Sequence, residues 1–357
     1  MKNPGIACVS RRWAIGLLLG FLAVAGACSE YELVRPDHTD VFFQMPPTSV
    51  DILLVVDNSC SMADEQEKLS TGFDDFVSAF EFADVDYHIG VVTTDTDNPN
   101  QAGRLQGNPK WIQPDTEAGA EAFKAAVQVG TVGSGYERGL EAARSALGPE
   151  MAAGYNVGFL REDAYLSLIF VSDEEDFSTE PVANYINFFW AQKTGQGRDA
   201  LTASSLVGSD DAGEPADCGD QSSPYVGASA AHRYVDVARQ TNGIIGSICS
   251  DDFSPIIGEL GLNSSRLTDR FELSRAPDVD SMEVEITPEG EDEAFPVESD
   301  HEDYPWEVQV IEGAQGDEYW LVFVDNFPPV NAQIVVRYDL GGAEDTFDDD
   351  DDTSGEE

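Results

Sequence analysis

Val50-Asp51-Ile52-Leu53-Leu54-Val55-Val56-Asp57-Asn58-Ser59-Cys60-Ser61 is the stretch that decides the fold. Its first seven residues form an apolar run broken only by Asp51, and the run stops at Asp57. A short, continuous and largely branched run of this kind is the pattern of a strand buried on both faces of a parallel sheet. Leu69, Phe73, Phe76 and Phe80 follow at helical spacing and predict an amphipathic helix over 63–83. Tyr87 to Thr94 (YHIGVVTT) and Tyr165 to Ser172 (YLSLIFVS) repeat the strand pattern. Helical patterns stand at 116–129, 136–147 and 181–193, and the alternation continues through 201–207, 228–240, 243–249 and 254–260. Strands alternating with helices predict an α/β fold, a doubly wound and mostly parallel sheet flanked by helices. Such sheets take ligands at the carboxyl ends of their strands.

The pattern changes near residue 268. Phe271–Leu273, Met282–Ile286, Trp306–Ile311, Tyr319–Val324 and Ile334–Tyr338 are strand candidates with no helix between them. Val284/Ile286 and Val308/Val310 alternate with polar residues, as half-buried strands do. The α/β domain is therefore expected over 49–270 and a small C-terminal all-β domain over 271–340, with the acidic stretch 289–303 in solvent. Residues 341–357, with Asp348 to Asp352 consecutive, are expected to form an acidic disordered tail.

Composition narrows the function classes. The 357 residues are 41% hydrophobic, enough for a sizeable core. Against 19 Lys and Arg stand 68 Asp and Glu, a formal net charge of −49. Nucleic acid is excluded as a partner, because phosphate binding needs Lys and Arg to displace counterions. So dense an acidic surface suits a saline medium, which screens its self-repulsion; an acidic exported protein is the plainer alternative.

The N-terminus carries an address. Lys2, Arg11 and Arg12 are the only charges in residues 1–28, and an apolar run from Trp13 to Ala25 follows them. That run is too short to span a bilayer but suits a signal-peptide core, so 1–27 is expected to be cleaved. Ala25-Gly26-Ala27-Cys28 resembles the lipobox of bacterial lipoproteins, which implies a lipidated (palmitate-bearing) Cys28 and a lipid-anchored linker over 28–48. The usual Leu of that motif is Ala25 here. Ordinary secretion is the alternative, and Arg11-Arg12 also suits twin-arginine export. The implied location is extracytoplasmic, on the bacterial envelope at the outer membrane or cell surface. Of the remaining thiols, Cys218 and Cys249 enclose a polar loop and a helix and are the preferred disulfide pair, leaving Cys60 single. No C-x-x-C spacing supports zinc or dithiol chemistry.

The chemistry gathers at the end of the first strand. Asp57, Ser59 and Ser61 place one carboxylate and two hydroxyls at alternate positions of a loop, where they can converge on a hard cation. Asp173 ends the strand 165–172 and opens the run Asp173-Glu174-Glu175-Asp176. VDILLVVDNSCSM, IGVVTTD and LIFVSDEED, in that order, resemble the von Willebrand factor type A (vWA) domain over about 49–270. The resemblance places Asp57, Ser59 and Ser61 on the family's D-x-S-x-S metal-ion-dependent adhesion site and Asp173 on its later metal-site aspartate. The family's Thr ligand has no clear counterpart in Gly130-Thr131-Val132-Gly133-Ser134-Gly135-Tyr136-Glu137. Ser134 aligns best, with Thr131 and Glu137 as alternates. The resemblance further implies Mg²⁺, with Mn²⁺ or Ca²⁺ as substitutes, and one open coordination position that a partner's Glu or Asp completes.

The expected function is thus a membrane-anchored binding module, not an enzyme, that takes a protein ligand through a divalent metal. Two rivals stand beside it. One is a structural envelope protein whose metal stabilises the sheet edge, and the other is a metal-dependent hydrolase. A hydrolase needs a positioned base, and His38, His88, His232 and His301 all lie outside the acidic motifs. Asp57-Asn58-Ser59 could also serve as a plain turn or helix cap.

Overall fold

A computed structural model describes residues 37–194, 197–219, 227–311, 316–324 and 326–341. The expected signal segment, Cys28 and the acidic tail after residue 341 lie outside the described residues.

Six strands build the main sheet: β2 (Ser49–Val56), β3 (Asp86–Thr93), β4 (Trp111–Ile112), β5 (Tyr165–Ser172), β6 (Leu201–Val207) and β7 (Ile245–Ser247). They stand in the order β4-β3-β2-β5-β6-β7, all parallel except the two-residue edge strand β4. Alternate residues of β2 enter opposite cores. Val50, Ile52, Leu54 and Val56 pack with α1 (Ala63–Ser70), α2 (Phe73–Phe82), α3 (Gly119–Val127) and α8 (Ser254–Ser265). Leu53 and Val55 pack with α4 (Gly139–Leu147), α6 (Val182–Ala191) and α7 (His232–Gln240); a one-turn helix α5 (Pro149–Ala152) trails α4. Helices on both faces make the sheet doubly wound, as expected. Each apolar side chain buried in this way contributes roughly 1.5–3 kcal/mol.

The helix expected over 63–83 is two helices. Thr71 and Gly72 interrupt it, and a Cβ at Gly72 would lie 2.3 Å from the Ile257 side chain of α8, which would have to shift to admit it. Cys218 and Cys249 are bridged, with Cα atoms 6.0 Å apart.

The C-terminal part is all β. Strands β8 (Arg270–Leu273), β11 (Trp306–Ile311) and β12 (Glu318–Phe323) form one antiparallel sheet in the order β11-β12-β8. A second sheet joins β9 (Glu283–Thr287), β10 (Phe295–Val297) and β13 (Gln333–Asp339). Its fourth strand is β1 (Asp37–Phe43), antiparallel to β13, from the region expected to be linker. The linker expectation is corrected here. The inward positions of β1 are His38, Asp40 and Phe42, so its pattern is too polar to read as a strand. Asp40 accepts from the Ser274 and Tyr338 hydroxyls at 2.6 and 2.7 Å, and Phe42 meets Phe271. Likewise β10 lies inside the acidic stretch expected to be solvated, where Val297 is buried.

Asp51 explains the one break in the β2 run. It is fully buried at the amino end of the sheet, where Arg161 Nε and N donate to it at 2.7 Å and the buried Lys193 Nζ lies at 3.4 Å. Burial pulls the Lys193 amine below its usual range, against the favourable pull of Asp51. Removing one partner of such a cluster strands buried charge, at a cost of about 3–5 kcal/mol. Asp51→Ala is expected to lower the unfolding free energy by that amount in urea titrations. Glu285→Ala, which breaks the surface pair with Arg337, should cost no more than about 1 kcal/mol. Equal small losses for both would show that the buried cluster does not anchor the sheet.

Candidate metal centre

The neighbours of β2 are β3 on one side and β5 on the other, so the chain leaves the carboxyl end of the sheet in opposite directions beside β2. That divergence opens a crevice in doubly wound sheets. Three strand ends meet there. Asp57 N donates to Val171 O at 2.9 Å, Thr94 N donates to Val56 O at 3.3 Å, and Asp173 lies one residue past β5.

Asp57 is fully buried. Its Oδ1 accepts from Ser59 N at 2.7 Å and its Oδ2 from Ser172 Oγ at 2.6 Å. The Ser59 and Ser61 hydroxyls lie 3.2 Å apart, and Ser61 lies near enough to the Asp173 carboxyl to lower its pKa. Asp57, Ser59, Ser61 and Asp173 therefore form one continuous cluster. From the loop after α3 the residue that meets Asp57 is Glu137, which also accepts from the Thr94 hydroxyl. Ser134 Oγ accepts from Tyr136 N at 3.1 Å, which leaves a second lone pair on the hydroxyl, and Thr131 makes no bond to the cluster among the described residues.

Several side chains that sequence reasoning did not single out fix these loops. The buried Gln66 of α1 donates to Asp57 O at 2.8 Å and Gly130 O at 2.9 Å, stapling two site loops together. Gly133 N donates to Asn58 O at 2.8 Å, and a Cβ on Gly133 would lie 2.2 Å from Asn58 Oδ1, so a larger residue would push the Asn58 amide aside. Half of the acidic run is structural. Glu175 accepts from the His232 and Arg233 backbone amides at the start of α7. Asp176 pairs with Arg233 at 2.8 Å and accepts from Leu140 N and Ser178 Oγ. Asp173 and Glu174 remain on the site. A helical Gln between apolar positions and a glycine in a polar loop were the available signals, and neither is specific.

The electrostatics are strained in one direction. Burial raises the Asp57 carboxyl despite its hydrogen bonds. Burial, then the Asp57 charge, pushes Glu137 up to about 9 and Asp173 up to about 7. Glu174 is raised for the same two reasons. Among the described residues no Lys, Arg or His forms an ion pair with Asp57, Glu137 or Asp173. Glu137 Oε1, Asp173 Oδ1 and Asn58 Oδ1 are buried acceptors that meet no donor. Unanswered acceptors around convergent hydroxyls fit a hard divalent cation. Among the described residues no three of His, Cys, Asp and Glu gather at metal-binding distance, so the donor set includes neutral hydroxyls. A cavity of about 200 Å³ lined by Glu65, Lys68, Asp173 and Ala228 adjoins the site. Cys60 is a free, exposed thiol.

No family model and no curated protein matches the chain in sequence. Among solved structures it is similar to proximal thread matrix protein 1 from the mussel byssus. One crystal form gives 11% identity and a TM-score of 0.40, covering 65% of this chain and 51% of that one. A second structure, described as having a zinc-occupied MIDAS motif, gives 13% identity and a TM-score of 0.39, covering 62% and 47%. The match thus spans about half the length of that protein, and a likeness so distant carries nothing about function. What the fold shows by itself is a doubly wound sheet with D-x-S-x-S at its carboxyl edge.

The raised carboxyls give a signed expectation. A folded-state pKa above the unfolded value means that the folded protein holds more protons between the two. Stability then falls as pH rises through that window. For Asp173 and Glu137 the window runs from about 4 to about 7 and 9. Without metal, the melting temperature should fall between pH 5 and pH 8. A divalent cation competes with those protons, so its stabilisation should be larger at pH 8 than at pH 5. Calorimetry at both pH values, with Mg²⁺ and with chelator, checks the sign.

Proposed function

We propose that this chain is a binding module of the vWA type that captures a protein ligand through a divalent cation. The cation would be held by Asp57, Ser59, Ser61 and Asp173, with a further oxygen from Ser134, Thr131 or Glu137. The observation that carries this function is the cluster of buried carboxylates with unanswered oxygens at the carboxyl edge of the sheet. A bound dication answers that charge. All-oxygen ligands favour Mg²⁺, with Mn²⁺ or Ca²⁺ as substitutes. A cation held partly by neutral hydroxyls keeps attraction for a further carboxylate, which an Asp or Glu of the partner supplies. The module is proposed as non-enzymatic. His38 and His88 hydrogen-bond elsewhere, to Ser274 and Phe159 O, and His301 packs on Tyr304.

The proposed setting is extracytoplasmic, with Cys28 lipidated and the protein held at the bacterial envelope. Among the described residues no helix is long and apolar enough to cross a membrane. Mass spectrometry of the mature protein should find residue 28 as an acylated N-terminus; an unmodified Cys28 behind a different N-terminus would remove the anchor from the proposal.

Asp57→Ala should abolish Mg²⁺ binding with the fold retained, because the cores lie on either side of the sheet and the site at its edge. Ser59→Ala should weaken binding less, since a neutral ligand is lost and not a charge. Titration calorimetry belongs in high monovalent salt, which screens the diffuse cations that this acidic surface collects. Equal Mg²⁺ affinity for Asp57→Ala and the unmodified protein would reject the metal site.

A further inference from the structure

Three large apolar side chains stand in solvent around the candidate site. Val132 is 94% exposed, Tyr136 65% and Phe177 48%. Each is tied to the site through a backbone neighbour. Val132 precedes Gly133, whose amide donates to Asn58 O at 2.8 Å. Tyr136 precedes Glu137, and Phe177 N donates to Glu137 O at 2.7 Å. The Tyr136 and Phe177 rings meet edge to face, 5.9 Å apart, so two loops jointly present one aromatic surface. These loops are held by Gln66, Gly133 and the Asp176–Arg233 pair, so the exposed groups are presented in place. Large apolar groups held in water next to polar surface mark interaction sites, since monomeric surfaces expose few contiguous apolar patches.

Charge limits what can cover it. With a net charge of −49, a second copy of this chain is repelled. A partner that brings a carboxylate to the cation must approach through the same field, which favours a carrier that is cationic elsewhere.

We propose that Val132, Tyr136 and Phe177 form the rim of the docking surface. The partner is a protein segment with one Glu or Asp flanked by bulky apolar residues, on an otherwise cationic chain. This assignment rests on the metal-dependent function proposed above. Seating the carboxylate on the cation would bring its neighbours against the rim, where burying apolar groups adds affinity that the ion alone does not give.

A library of Lys-capped heptapeptides with a central Glu and varied flanking positions tests it against the full mature chain. In Mg²⁺, Leu-, Phe- or Trp-flanked peptides should bind at least tenfold tighter than Ser-flanked ones, and chelator or a central Gln should remove the binding. The triple variant Val132→Ser, Tyr136→Ser, Phe177→Ser should bind Mg²⁺ as tightly as the unmodified protein by calorimetry yet lose the preference. Phe177→Ser alone should lose part of it, which guards against a misfolded triple variant. Mg²⁺-dependent binding with no preference among flanks would overturn the rim and leave the metal site standing. No binding above the Gln-centred control would overturn both. Metal-independent adsorption to phosphatidylcholine vesicles, lost in the triple variant, would reassign the rim to lipid and overturn the partner.

Discussion

Asp57 is buried at the end of β2 with no cationic side chain paired to it, and the carboxyl edge of the sheet is arranged around that fact. The comparison with Asp51 is instructive. Both are carboxylates of one stretch of chain, and both are fully buried. Asp51 lies against Arg161 and Lys193, so its charge is answered by the protein. Among the described residues Asp57 receives neutral donors, a backbone amide and the Ser172 hydroxyl, which orient a carboxylate without cancelling its charge. Burial beside that charge holds the protons of Glu137 and Asp173 well above the usual carboxylate range, and a bound cation would displace them. A buried charge that only stabilises a fold is paired, as at the amino end of the sheet.

The same neutral donors set the geometry. Ser59 N and Ser172 Oγ fix both Asp57 oxygens from opposite sides. Gln66 ties the loop after β2 to the loop before α4, and Asp176 ties the loop after β5 to the starts of α4 and α7. A site held by such contacts loses little conformational freedom on binding an ion, since its loops are already ordered. The apolar rim inherits that order, because Tyr136 and Phe177 are adjacent to the residues that do the holding.

The α/β sheet was legible because β2, β3 and β5 are buried on both faces, and such strands leave continuous apolar runs in sequence. Asp57, Ser59, Ser61 and Asp173 were legible because alternate positions after a buried strand converge. Where long-range partners decide the outcome, sequence was silent. Strand β1 hides behind His38 and Asp40, which are inward-facing only because Tyr338 and Ser274 come from far along the chain. Glu137 meets Asp57 and Ser134 takes a hydrogen bond from Tyr136 N because of how the loop 130–137 folds, which spacing cannot reveal. Glu174 and Glu175 are adjacent in one acidic run, yet one faces the site and the other caps α7, and only the packing of α7 separates their roles.

The acidic field and the metal site act over different distances, and their combination is selective in a way that neither is alone. At physiological ionic strength screening reduces exposed charge interactions beyond about 8 Å, so the field acts mainly as a partner nears the surface. There it opposes any acidic chain, including one that carries the required carboxylate. Contact with a bound cation acts only at the last few ångströms, in a crevice poor in mobile ions, and is screened far less. Under the proposed function a partner would therefore have to offer a carboxylate locally and positive charge more widely. Salt separates the two demands, because it weakens the preference for a cationic carrier while leaving the preference for carboxylate over amide almost untouched. In a saline medium the proposed binding would rely chiefly on the short-range term, and the order of the loops around Asp57 is what would make that term available.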